Sequence, residues 1–333
     1  MKPLTLISGV AGMTGSLAAA KLLDRGDEVI GFDNYFAGSR ESIADLLLHK
    51  GFQFFEYDIS DSRHLDVLFA FLHAHYPADR FRLAFINCAA VVHTHHFYHP
   101  DETFNTNVVA MRDSLDRAVR GHFSVYINCS TSEVYSMNSW QEHGVSESSP
   151  VLLATAEQSL RTSYAAGKLL TEFFVRDTVD RGLITGCSLR FANVYSPSEA
   201  HAEHIIPFLI ASLSRDRRVV LLENARETYR TFLHNSDSCA AVIRLLDTPA
   251  ALDGSIYNVG TTEEINIVDL VSRIAELMGL NDVSIEYLGR RSADPIRRLL
   301  SITKLHQATG WTPQISLDEG LRQCVEFRRQ KVD

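Results

Sequence analysis

Between an apolar run with strand character, Leu4–Ile7, and a helical stretch from Met13 to about Asp24, the chain reads Ser8-Gly9-Val10-Ala11-Gly12-Met13-Thr14-Gly15. Three glycines at a strand-to-helix junction restrict the fold sharply. They permit a tight turn and let a ligand approach the backbone, while the helix start offers unpaired N–H groups and a partial positive charge to an anion. A pyrophosphate suits such a loop. Asp33 closes the second predicted strand, Glu28–Phe32. A carboxylate there accepts hydrogen bonds from an adenosine ribose and repels a 2′-phosphate, which favours NAD over NADP. Gly9, Gly12, Met13, Thr14, Gly15, Asp33 and the adjacent Asn34 are therefore the expected contacts of the dinucleotide.

The same rhythm continues through the first half. Strands are expected at Phe52–Tyr57, Leu83–Asn87, Val125–Cys129 and Ile184–Arg190, and helices at Ser62–His75, Thr106–Arg120 and Ser163–Asp180. Strands alternating with helices of this length imply crossover units and a parallel sheet covered on both faces. From about Phe191 the pattern loosens into shorter elements and polar loops. The expected architecture is α/β: a Rossmann-type doubly wound parallel sheet with a smaller C-terminal substrate-binding lobe. Residues 1–190, with a returning segment at 230–260, form the NAD-binding part; residues 191–229 and 261–333 form the lobe, which closes over the carboxyl ends of the strands, where ligands bind in open α/β sheets.

Tyr164-Ala-Ala-Gly-Lys168 puts a phenol and an ammonium on one face of a predicted helix. Bringing a phenol from its usual pKa of about 10 to near neutrality takes about 4 kcal/mol, which a neighbouring ammonium and a cationic nicotinamide together can supply. Alone the pair is common; after the glycine loop and Asp33, in this order, it marks an oxidoreductase-type site.

Composition excludes other classes. The net charge of −9 argues against a nucleic-acid surface, which needs clustered Lys and Arg. No apolar run approaches ~18 residues, so no membrane span is expected, and no signal-peptide pattern precedes Leu4. The five cysteines lack metal-ligand spacing and read as free thiols in a reducing, cytoplasmic setting.

These motifs resemble the extended short-chain dehydrogenase/reductase family of NAD-dependent nucleotide-sugar epimerases, dehydratases and decarboxylases, over essentially the whole chain. Tyr57-Asp58-Ile59 resembles the family's adenine-contacting segment, and Asn87-Cys88-Ala89-Ala90 its fourth strand end; Asp58, Ile59, Ala89 and Ala90, with Tyr164 and Lys168, thereby join the NAD contacts. Asn107-Val108 is similar to a helix start of the family. Arg190-Phe191-Ala192-Asn193-Val194-Tyr195-Ser196-Pro197 is similar to a stretch that carries Gly where Ser196 stands. Arg230-Thr231-Phe232-Leu233-His234, Tyr257-Asn258-Val259-Gly260, Arg291-Ser292-Ala293-Asp294 and Gly310-Trp311-Thr312-Pro313 match later landmarks. The resemblance implies that Asn193, Arg230 and Arg291 hold the substrate's diphosphate, that His204 lies near its diphosphate or base, and that the helices around 106–120 and 163–180 form a homodimer interface.

It also implies oxidation of the sugar at C4, with Tyr164 taking the hydroxyl proton and Thr131 sharing it. Ser130-Thr131-Ser132-Glu133-Val134-Tyr135 bears on the step after that oxidation. Glu133 stands where 4,6-dehydratases carry the base for the C5 proton, acidified by the new ketone, and Ser132 replaces an Asp found in one dehydratase type. His93 lies where dehydratases carry a histidine. The reading leans to a 4,6-dehydratase of a nucleotide hexose. A 4-epimerase and a glucuronate-type decarboxylase remain open, as does, from a different class, a non-catalytic nucleotide-binding module, against which the intact Thr131, Tyr164 and Lys168 speak. A decarboxylase needs an arginine for the C6 carboxylate, and none stands out. His93, His95, His96 and His99 crowd one loop. Metal binding would need two or three imidazoles converging with a carboxylate; the plainer expectation is a cleft-lining loop and no metal.

Overall fold

In the computed structural model, residues 1–137, 144–199, 201–290 and 296–330 are described. Their twelve strands are β1 (Lys2–Ser8), β2 (Glu28–Asp33), β3 (Phe52–Glu56), β4 (Phe81–Asn87), β5 (Val125–Thr131), β6 (Thr185–Phe191), β7 (Asn193–Tyr195), β8 (Arg218–Leu221), β9 (Tyr229–His234), β10 (Asp253–Val259), β11 (Glu264–Asn266) and β12 (Ser284–Tyr287). Seven of them make one parallel sheet in the order β10-β6-β5-β4-β1-β2-β3. The chain order reverses between β1 and β4, and a cleft opens at their carboxyl ends, as a doubly wound sheet requires.

Strand periodicity divides the core in two. Ile7, Val29, Ile86 and Ile127 face a layer built from helices Met13–Asp24 and Asn235–Leu246. Leu6, Ile30, Phe85 and Tyr126 face the other layer, with helices Ser62–His75 and Met111–Arg120 and Val175 of helix Thr162–Asp180. Burial on both faces is why β1 reads as a continuous apolar run rather than an alternating one.

A third core, with Leu209, Leu213, Leu270, Ile274 and Leu321, holds the lobe. There β7 and β11 flank β9, and β8 pairs with β12. Of the segment 230–260, β9 stays in the lobe sheet, whereas β10 pairs with β6, and Cys239, Val242 and Leu245 pack in the first layer. Leu305 and Trp311 pack there too, which corrects the assignment of all of 261–333 to the lobe: the Trp311 indole N–H reaches the Asp237 carbonyl at 3.2 Å, and two large apolar side chains bury against the sheet layer instead. The helix expected from Thr106 begins as a π-helical turn at Asn105–Ala110 before the α-helix starts at Met111.

Candidate active site

At the end of β1 the backbone turns through Gly9, whose φ of +68° disfavours any side chain, and a Cβ there would lie 2.7 Å from the Ala89 nitrogen. A Cβ on Gly15 would collide with the Gly9 carbonyl. The loop is thus held against the end of β4, with the amino terminus of helix Met13–Asp24 behind it. Asp33 Oδ2 accepts from the Ala11 N–H at 2.9 Å, and Oδ1 from the Tyr35 N–H at 2.7 Å. Burial raises its pKa while these amides draw it back. Asn34 donates to Asp58 at 2.9 Å. The buried Asn107 clamps the chain beyond β4, accepting from the Val91 N–H at 2.7 Å and donating to its carbonyl at 3.2 Å. Gly9, Gly12, Met13, Thr14, Gly15, Asp33, Asn34, Asp58, Ile59, Ala89 and Ala90 all line one cavity of about 1020 Å³. The missing side chains at Gly9 and Gly15, the helix terminus and the ribose-side carboxylate suit NAD.

The same cavity takes in Thr131, Glu133, Tyr164 and Lys168. Thr131 ends β5; its Oγ1 accepts from the Glu133 N–H at 3.1 Å and is hydrogen-bonded to Tyr164. Tyr164 is buried and stacks on Phe97, with ring centres 4.0 Å apart. Burial pushes its phenol well up, and the Glu133 charge pushes the same way, against the Thr131 hydrogen bond and the Arg161 charge. Lys168 donates to the Cys129 carbonyl at 2.8 Å; burial lowers its ammonium to about 8. Ser132, expected beside them, is buried as the chain turns from β5 into a short 3-10 helix, and it is not among the cavity-lining residues, whereas its neighbours Thr131 and Glu133 are.

Two residues not anticipated from the sequence complete the site. Arg161 Nη2 and Arg298 Nη1 both donate to Glu133 Oε1, each at 2.8 Å. Burial raises the Glu133 carboxyl, but Arg298 and Arg161, with Arg230 further off, outweigh that and hold it at about 2. Arg298 is only 6% exposed, and its Nε is buried without a hydrogen-bond partner. Arg161, three residues before Tyr164, had a positional signal; Arg298, 165 residues from Glu133, had none.

Asn193, His204 and Arg230 line the cavity. Arg291 lies outside the described residues. His93, expected at the substrate, is buried with its ring 3.9 Å from that of His201, and it is not among the residues that line the cavity, whereas Val91 and Val92 are. Burial, then the charges of the surrounding histidines, hold His93 at about 4. The free cysteines include Cys88 and Cys129, whose sulfurs are 3.6 Å apart. No helix among the described residues is long and apolar enough to cross a membrane.

The sequence profile of the NAD dependent epimerase/dehydratase family matches residues 5–260. The chain is 28% identical over 325 residues to the low-salt glycan biosynthesis protein Agl12 of Haloferax volcanii, covering 97% of each. It is 27% identical to UDP-glucuronic acid decarboxylase 1 of Arabidopsis thaliana, covering 98% of this chain and 70% of that protein. Among solved structures, the dTDP-glucose 4,6-dehydratase DesIV of Streptomyces venezuelae, bound to NAD and TYD, superposes with a TM-score of 0.85 at 24% identity, covering 98% of this chain and 97% of that one. The UDP-glucuronic acid 4-epimerase of Bacillus cereus, with UDP-glucuronic acid and NAD, gives 0.84 at 22%, covering 98% and 99%. With its glycine loop, its tyrosine and lysine in one cavity and this match over most of its length, the chain belongs to the NAD-dependent epimerase/dehydratase family of enzymes.

Proposed function

We propose that the protein decarboxylates a nucleotide-linked hexuronate, most simply UDP-glucuronate, through a transient 4-keto sugar. The observation that carries this reading is the pair of guanidiniums on Glu133. Two guanidiniums meet on one carboxylate at the reacting end of the cavity, with the charge of Arg230 adding to theirs, an arrangement for which a neutral hexose has no use. A carboxylate on C5 does, because a guanidinium fork matches its geometry. The relatives named UDP-glucuronic acid decarboxylase support it from another side.

Each side chain then has a part in the chemistry. Tyr164 accepts the C4 hydroxyl proton, with Thr131 hydrogen-bonded beside it. Bound NAD supplies the hydride acceptor at C4 and the donor for the return step. Arg161 and Arg298 hold the C5 carboxylate, the ketone takes up the electron pair as carbon dioxide leaves, and reprotonation at C5 precedes reduction. Asn193 and Arg230 take the diphosphate. Exposed apolar side chains on two neighbouring helices, Val109, Leu170 and Phe173, fit a homodimer.

The second reading is the 4,6-dehydratase favoured by sequence, and Glu133 facing the cavity next to Thr131 keeps it in view. Its difficulty is basicity. A carboxyl moved from 4.5 to about 2 is about 3 kcal/mol less willing to take a proton from carbon. The deciding experiment incubates pure enzyme with UDP-, dTDP-, GDP- and CDP-glucose and with UDP-glucuronate, following product mass. Loss of carbon dioxide from the uronate is expected. Loss of water from a neutral hexose would install the dehydratase, and unchanged mass with inverted C4 an epimerase. In the same assay Tyr164→Phe should lower kcat by roughly 10²–10⁴-fold, and Arg298→Gln should raise KM for the uronate by roughly tenfold or more; full activity of the tyrosine variant would remove the assigned base.

A further inference from the structure

At the cavity wall three histidines from two distant segments meet. His93 follows β4, and His201 and His204 precede helix Ile205–Asp216. One ring nitrogen from each lies within 4.8 Å of the other two. The rings stack without a hydrogen bond between them, 3.9 Å apart for His93 and His201 and 4.5 Å for His201 and His204. His93 is nine-tenths buried, and its Nδ1 has no hydrogen-bond partner. A buried imidazole nitrogen left without a partner costs free energy, so such a group calls for an explanation.

His204 supplies the next observation. Its Nδ1 is hydrogen-bonded to the buried carboxylate of Glu199. A carboxylate on Nδ1 fixes the tautomer that leaves Nε2 as a lone pair, and this is the arrangement that sits behind metal-binding histidines. A long contact, 3.3 Å from the Glu203 N–H to Nδ1, competes for the His201 ring and is readily given up.

We propose that His93, His201 and His204 form a binding site for one divalent transition-metal ion of the zinc class, with Glu199 holding His204 in register. Three neutral imidazoles are a borderline-soft donor set that suits zinc, cobalt or nickel rather than magnesium or calcium. Donors around a tetrahedral zinc stand about 3.3 Å apart, so the rings close in by small rotations. The fourth position stays open in a three-ligand site. Because His204 and Glu199 line the substrate cavity, an oxygen donor, water or an anionic substrate oxygen, takes it. The same loop carries Phe97, stacked on Tyr164. An ion joining His93 to His201 and His204 therefore ties the lobe segment to the loop packed against the proposed base.

The test uses the full chain without an affinity tag, stripped by a chelator and dialysed. Zinc is titrated by calorimetry, and cobalt is followed by its visible absorption, which is strong in tetrahedral sites. The expected result is one ion per chain, a tetrahedral cobalt spectrum and a raised melting temperature with zinc. His201→Ala and His204→Ala should each weaken binding by at least ~100-fold and Glu199→Gln by roughly 10–100-fold, while His99→Ala, on an exposed ring outside the three, should bind as the parent does. Circular dichroism confirms folding of each variant, and none of these readouts depends on turnover or on which sugar is consumed. No zinc or cobalt bound at micromolar concentration would overturn the proposal, as would undiminished binding in both His201→Ala and His204→Ala.

Discussion

At Lys168 burial and charge pull in opposite directions. Burial lowers the ammonium, Cys129, Cys88 and Glu172 pull it partly back towards its usual 10.5, and the balance lies at about 8. Below about 8 the charge proposed to favour a Tyr164 phenolate is present; above it the charge is lost. We expect kcat/KM to fall as pH rises through about 8, with a slope of one proton. Stability should move the other way. Between 8 and 10.5 the unfolded lysine holds more proton than the folded one, so the penalty for burying the ammonium is full below 8 and is relieved as pH climbs. Parallel pH series of initial rates and denaturant midpoints check this, and a shared decline in both would show that unfolding rather than Lys168 sets the limb. Glu133 has the opposite sign. Its depressed carboxyl contributes stability above its usual value, lost as pH falls towards about 2.

At the scale of elements, the loop after β1 depends on the absence of a side chain. Gly9→Ala forces a Cβ against the Ala89 nitrogen at a positive φ. We expect about 1–3 kcal/mol of lost stability by chemical denaturation and at least ~tenfold weaker NAD binding by calorimetry; unchanged NAD affinity would mean the dinucleotide does not lie on this turn. This loop and the first six sheet strands were legible in the chain because local pattern dictates them: apolar runs, a glycine turn and helical spacing place each to within a few residues. The π-helical turn at Asn105–Ala110 was not, since it serves the clamp from Asn107 to Val91, a tertiary contact. Nor were Arg161 and Arg298. Arg161 was marked only by its place three residues before Tyr164, and nothing in the local sequence around Arg298 separates it from an arginine in solvent. The packing of Leu305 and Trp311 under the first core was hidden for the same reason.

For the whole molecule, the exposed Phe173, at 63%, with Leu170 and Val109, is the apolar surface that the proposed homodimer would cover. Phe173→Glu should convert a dimer to a monomer in sedimentation experiments, with little change in the melt of the isolated subunit; a monomeric parent would remove the proposed pairing. The position of β10 has a consequence of another kind. Its residues, 253–259, complete the sheet beside β6 only after the strands β7, β8 and β9 have been made. A ribosome must therefore release some 250 residues before the last backbone donors and acceptors of β6 find their mates, and until then that strand presents an open edge to other chains. The central sheet therefore cannot be completed before the lobe strands β7, β8 and β9 have been synthesised. Biogenesis, more than the finished enzyme, is where this topology is vulnerable.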